Sequence, residues 1–309
     1  MSSPPDGGLL AVHAHPDDET LATGALLATW ASSGRLVTVV TCTRGERGEV
    51  IPAELAHLEG DGPALAAHRE GELAGALTAL GVHDHVFLDQ VRTPGDAPQR
   101  FVDSGMVWVE PGTAGRPANL PDDAFAAVPV DVAARRLAAV IADRRPDVVV
   151  GYEPGGGYGH PDHVNAHRVM ERAVRLAAGP TAYQVPAVLW AVQDSTELAE
   201  GCREVAPLAE PPLAPVELER GLPSVAVPGE LVDVRVEVSR VIDRLASALG
   251  AHASQVQAVR TWAAADGVAV GHFALSNRVL LPLLRTEGYR FAPGWVRRPV
   301  SWPAGVRVA

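Results

Sequence analysis

Three features of the sequence predict an α/β fold, with a Rossmann-like, mostly parallel sheet flanked by helices and a smaller C-terminal α+β subdomain. Short β-type runs alternate with longer helical patterns over roughly the first 190 residues. Ionisable motifs stand directly behind two of those runs, where a parallel sheet gathers its functional side chains. After about residue 195 the rhythm changes to Pro-rich, irregular chain. The expected division is therefore a Rossmann-like domain over 1–194, which carries those motifs, and a C-terminal subdomain over 195–309 packed against it.

The expected strands are "LLAVHA", "LVTVVTC", "HVFL", "DVVVGY" and "AVLWAV". Apolar positions recur near every third or fourth residue at 19–33, 64–80, 131–144 and 162–178, which predicts the intervening helices. Residues 89–121, with "RTPGDAPQR" and "EPGTAGRPANLP", are too long and too rich in Pro and Gly for a routine connection; such a segment is usually a lid, a substrate arm or disorder. Further on, "VDVRVEV" alternates with period two, and Val241, Leu245, Leu249 and His252 share one face of a helix expected from about Ser239 to His252. The tail from Leu275 to Trp302 reads as one more helix followed by a strand or loop.

With 309 residues and 47% hydrophobic composition, the chain can bury a large core without staples. Two widely separated cysteines and no secretory leader point to a reducing cytoplasm. No apolar stretch approaches the roughly 20 residues a bilayer demands, and a net charge of -11 is repelled by anionic lipid and phosphate backbones. Membrane and nucleic acid are thus not expected as partners, and a small molecule is.

The first strand runs into "AHPDDE", residues 14–19. Pro16 fixes its own φ and biases His15 toward an extended backbone, so His15, Asp17 and Asp18 are presented by a stiff turn. Imidazole and carboxylate are the usual ligands of catalytic zinc, though an Asp at such a position more often only caps the next helix. A third ligand stands far away, in "GYEPGGGYGHPDHVNAH" at 151–167, where His160 and His163 flank a second Pro-Asp behind another strand. Two strand-end His-Pro-Asp motifs in one α/β unit are hard to assign to accident.

These motifs, with "VVTCTRGERGEV", "REGELAGALTALGV", "VDSGM", "AHASQV" and "ALSNRVLLPLL" in order along the chain, resemble the zinc-dependent deacetylases of the family that includes N-acetylglucosaminyl-phosphatidylinositol de-N-acetylases (LmbE-like). The likeness is to the actinobacterial branch that makes and uses the thiol mycothiol, and it leaves mainly 90–100, 107–130 and 195–235 uncovered. It implies that His15, Asp18 and His163 bind Zn²⁺, with Fe²⁺ an alternative, and that Asp17 is the general base. His160 and Tyr158 would assist the transition state. Arg69 and Asp103 would hold hydroxyls of an amino-sugar substrate. Without the resemblance, Arg69 reads as a surface arginine paired with Glu70 or Glu72, and Asp103 as a turn former.

The implied reaction removes acetate from N-acetylglucosaminyl-inositol. A related amidase acting on mycothiol conjugates shares the metal motif; "GGYGHPDH" and Met106 lean to the deacetylase, while "FVDSG" is closer to the amidase. Deacetylation of another amino sugar is a third reading. A non-catalytic nucleotide or sugar binder would want a G-x-G-x-x-G fingerprint after the first strand, and "HAHPDDET" has none. Cys42 reads as a small buried hydrophobe, His13 as a neighbour of the site, and "TRGERGEV" as a solvated turn.

Overall fold

The computed structural model describes residues 7–95, 97–110, 113–179, 183–262 and 267–309. Its main sheet uses β1 (Leu9–His13), β2 (Val37–Thr41), β3 (Asp84–Phe87), β6 (Val148–Tyr152) and β7 (Ala187–Asp194) as a parallel block. Three antiparallel strands, β10 (Val234–Glu237), β14 (Thr286–Phe291) and β15 (Val306–Val308), continue it in the order β15-β10-β14-β7-β6-β1-β2-β3. A hairpin of β4 (Val107–Glu110) and β5 (Thr113–Gly115) stands apart, as does a smaller sheet of β8 (Ala214–Pro215), β11 (Gln257–Thr261), β12 (Ala269–Ala274) and β13 (Val279–Leu284). The two-residue β9 (Ala226–Val227) pairs with β7. This is the mixed α/β architecture expected, a large and mostly parallel sheet flanked by helices.

Every residue of β1, β2 and β6 is buried, because both sheet faces are covered. Successive side chains alternate between two cores. Ala11, Val39 and Val150 pack under α1 (Asp18–Ser32), α2 (Gly62–Leu80) and α7 (Ile242–Ala251). Leu10, Val12, Val40 and Val149 pack under α3 (Val130–Arg144) and α5 (Pro161–Ala178). From β1 the chain moves to β2 and β3 on one side, and from β6 to β7 on the other. Adjacent strands whose connections diverge leave a crevice at their carboxyl ends, the usual ligand position of such sheets. Both His-Pro-Asp motifs open there.

Several expectations need correcting. The tail from Leu275 to Trp302 carries β13 and β14 and no helix: "VLLPLL" alternates buried and partly exposed residues with period two, and an apolar run with Pro282 inside it suits a strand better than a helix. The Pro-rich stretch after residue 194 begins with α6 (Ser195–Val205), whose start was legible in the Asp194 side chain that accepts the amides of Thr196 and Glu197. Here α6 and the small sheet share apolar clusters of their own, around Val205, Ala274 and Leu280 and around Leu198, Cys202 and Leu284. The 89–121 excursion, in its described residues, folds into the hairpin and a bridge between Val102 and Ala124. Nor is "TRGERGEV" a solvated turn: Arg44 is buried between Asp89 and Glu70. Cys42 is buried as expected. Among the described residues no helix is long and apolar enough to cross a membrane.

Candidate active site

His15, Asp18 and His163 come together across 148 positions of chain. His15 Nδ1 lies 3.2 Å from Asp18 Oδ2, His163 Nε2 lies 3.3 Å from Asp18 Oδ1, and the two ring nitrogens are 3.4 Å apart. The far nitrogen of each ring faces an oxygen: His15 Nε2 is 3.2 Å from Asp162 Oδ2, and His163 Nδ1 is 3.0 Å from the Gly156 carbonyl. With an acceptor on its far nitrogen, each ring when neutral would turn a lone pair inward toward its neighbours, the orientation found in imidazoles that bind metals. Tyr152 fixes the assembly from beneath. Its ring stacks on His163 at 4.3 Å and 18°, and its hydroxyl accepts the Ala14 amide at 2.9 Å.

The loop after β6 needs its glycines where it crosses His163. Gly156 has φ 67°, and a Cβ there would lie 2.8 Å from the Cβ of His163. Glu153 braces this loop by accepting the amides of Gly155 and Gly157. His160 then caps α5, its Nδ1 accepting the Asp162 amide at 3.2 Å, which leaves the proton of the neutral ring on Nε2. Burial, with the charge of His15 and His163 added, holds His160 well below the usual histidine range. Tyr158 sits against it, its ring 5.2 Å from His163 and 6.2 Å from the half-exposed Trp108 of the hairpin.

Asp17 precedes α1 but makes no capping bond with its side chain. It is the base expected from the motif, and its backbone is unusual: φ is 115°, a region that L side chains rarely adopt. Burial pushes its carboxyl up to about 6, against the pull of Arg69, so it is ionised at neutral pH with appreciable proton affinity. Arg69 is neither a surface residue nor paired with Glu70 or Glu72. It is 3% exposed, and its guanidinium donates to Asp17 Oδ2 at 3.0 Å, to the Gly45 carbonyl at 2.9 Å and to the Pro16 carbonyl.

Asp103 comes from the excursion and does form a turn, accepting the Gly105 amide at 2.7 Å, yet its Oδ1 is also 3.6 Å from His15 Nε2. Around His15, burial works against a charged ring, but Asp103, Asp162 and Asp18 overcome it and raise its proton affinity well above the usual range. For Asp18, burial is in turn outweighed by His163 and His15, which hold it well below the usual carboxylate range. The pocket therefore favours positive charge. His15, His160 and His163 form one group able to hold a cation, and His15, Asp103 and Asp162 another. His13 lies behind the site, bonded to Thr23 at 2.9 Å and pushed down to about 4 by burial.

Three elements of this site escape a reading by motif. Asp162 and Ser104, joined by amide and hydroxyl bonds, tie His15 to the excursion, and no local pattern announces that pairing. Tyr152 was visible only as the end of a strand. His252 was visible only as the face of a helix, although "AHASQV" belongs to the resemblance.

Residues 10–174 match the family model described as PIG-L, GlcNAc-PI de-N-acetylase. The chain belongs to that family. It is 44% identical over 294 residues to the 1D-myo-inositol 2-acetamido-2-deoxy-alpha-D-glucopyranoside deacetylase of Kineococcus radiotolerans, covering 93% of this chain and 77% of that protein. It is 43% identical over 296 residues to the protein of the same name from Thermobifida fusca, covering 94% of both. Among solved structures, the N,N'-diacetylchitobiose deacetylase of Pyrococcus horikoshii aligns with a TM-score of 0.50 at 17% identity, over 93% of this chain and 84% of that one. The 4-carboxy-2-hydroxymuconate hydratase GalB of Pseudomonas putida aligns with a TM-score of 0.52, also at 17% identity, over 96% and 100%. A deacetylase and a hydratase on one fold mean that chemistry has to be argued from the site.

Proposed function

We propose that this protein is a metal-dependent N-deacetylase that hydrolyses the acetamide of N-acetylglucosaminyl-inositol to acetate and the free amine, as the names of its relatives describe for them. The observation that carries the reading is the triangle of side chains His15, Asp18 and His163, in which His15 Nδ1 is 3.2 Å from Asp18 Oδ2, His163 Nε2 is 3.3 Å from Asp18 Oδ1 and the two nitrogens are 3.4 Å apart. A tetrahedral ion with bonds of about 2.0 Å needs donors roughly 3.3 Å apart. The donor set, the oxygen partner on each outer ring nitrogen and the electronegative surroundings fit a divalent cation, for which we assign Zn²⁺. Fe²⁺ suits the same nitrogen and oxygen donors, and metal analysis separates the two.

When bound, such a cation supplies polarisation of the acetamide carbonyl and a lowered pKa of water. The remaining steps fall to side chains. Asp17, ionised and held by Arg69, takes the proton of the attacking water. The His160 Nε2–H and the Tyr158 hydroxyl donate to the oxygen that becomes negative, and Asp17, protonated by the attack, returns that proton to the departing nitrogen as the C–N bond breaks. Asp103 and Arg69 are assigned to sugar hydroxyls, which would make the site reject analogues lacking them.

The deciding experiment is acetate release from N-acetylglucosaminyl-inositol by protein of measured metal content, run beside a mycothiol conjugate. Turnover of the first and little of the second is expected. Preference for the conjugate would replace the deacetylase reading with the amidase, and activity independent of metal would end both.

A further inference from the structure

Directly beneath the turn that carries Asp17 lies a pair of ionisable groups with no part in the chemistry above. Glu19 and His252 are both 0% exposed, and His252 Nε2 lies 2.7 Å from Glu19 Oε1 although 233 positions separate them. The second carboxylate oxygen, Oε2, accepts the backbone N–H of Asp17 at 3.0 Å. That amide belongs to the residue with φ 115° and ψ -36°. Such a backbone persists only where its surroundings over-determine it.

The segment carrying His252 reaches the same residue by a second route. Ser254 donates from its amide and its hydroxyl to the two oxygens of Glu72, at 2.7 and 2.6 Å. Glu72 lies on α2 one turn from Arg69, whose guanidinium holds the Pro16 carbonyl and the Asp17 carboxylate. Residues 252–254 thus fasten the amide side of Asp17 through Glu19 and its carboxylate side through α2. His252 Nδ1 has no hydrogen-bond partner among the described residues, so the polar contacts of the ring are with Glu19 and, at 3.5 Å, Thr20. A buried carboxylate lacking such a partner is expensive to keep ionised and able to accept two bonds.

We propose that His252 is a positioning residue for the hydrolytic base: through Glu19 it holds Asp17 in its strained backbone conformation, with the carboxylate aimed at the attacking water. The C-terminal "AHASQV" segment is thereby part of the active-site apparatus while touching no reacting atom. This rests on the assignment of Asp17 as the base, and the test separates the two.

The experiment is a double-mutant cycle on the full-length, metal-loaded chain, with kcat and KM for N-acetylglucosaminyl-inositol, metal stoichiometry and thermal midpoint measured for each variant. His252→Ala is expected to lower kcat by about 10- to 100-fold, the effect of a displaced catalytic group, with KM and metal stoichiometry little changed. His252→Gln, which restores a donor toward Glu19, should recover most of the loss. In an Asp17→Asn background His252→Ala should cost less than about 3-fold more, because the group it positions is already disabled. An equal loss in both backgrounds, or a fall in metal stoichiometry that tracks activity, would overturn the proposal. Should His252→Ala not fold, Glu19→Gln in the same two backgrounds decides by the same criterion. Full kcat in Asp17→Asn alone would instead show that the base has been misassigned.

Discussion

The two His-Pro-Asp motifs have the same three residues behind parallel strands of one sheet, and the structure uses them differently. In the first, His15 turns inward to the triangle and Asp17 stands at φ 115° with 14% of its side chain exposed. In the second, His160 caps a helix and Asp162 is completely enclosed, bound to Ser104 and His15. The equivalent aspartates thus divide the labour. One is strained, reachable and ready to exchange a proton; the other is fixed and orients an imidazole. The difference lies in the backbone, since Pro161 already belongs to α5 whereas the first helix begins only at Asp18. Role follows conformation rather than motif.

The comparison can be broken most decisively at Asp17. Replacing it by Asn should reduce kcat by about 10²–10⁴-fold while the protein still binds a stoichiometric cation, which steady-state kinetics beside metal analysis will read. Loss of metal in that variant would make Asp17 a ligand and erase the contrast. His160→Ala should cost about 10²–10³ in kcat with metal again retained, the usual effect of losing one donor to a developing oxyanion. The inner aspartate should behave otherwise: Asp162→Asn is expected to weaken metal affinity by about 10–100-fold, measured by chelator competition, with a smaller effect on kcat at saturating metal. If the two Asp→Asn variants gave the same profile, the two motifs would be equivalent after all.

The smallest expected effect serves as a control away from the site. Glu287 accepts the amides of Ala25 and Leu26, and burial pushes its carboxyl up from 4.5 to about 7. Because its folded pKa is raised, the stability it contributes is fully present below pH 4.5 and is lost as pH rises toward 7. Denaturant unfolding should show a decline on the order of 2 kcal/mol across that window, flattened in Glu287→Gln.

Much of this was legible because local physics fixed it. Strands covered on both faces and amphipathic helices leave patterns that survive in isolation, so β1, α1, β2, α2, α3, β6 and α5 lie within two or so residues of where periodicity puts them. The tail strands were missed because an apolar run such as "VLLPLL" carries no helical or extended signature until a neighbour pairs with it. Without the family resemblance Arg69 reads as a surface ion pair, because the Gly45 and Pro16 carbonyls that bury it come from other loops.

By itself the sequence determined the alternating strands and helices, the two strand-end motifs and therefore the residue types available for chemistry, since each depends on neighbours within a turn or a strand. Only the tertiary structure decided which nitrogen of each histidine faces inward, which aspartate is free and which is fixed, and that His252 closes on Glu19. Those outcomes depend on contacts across 147 to 233 positions, which no local pattern encodes.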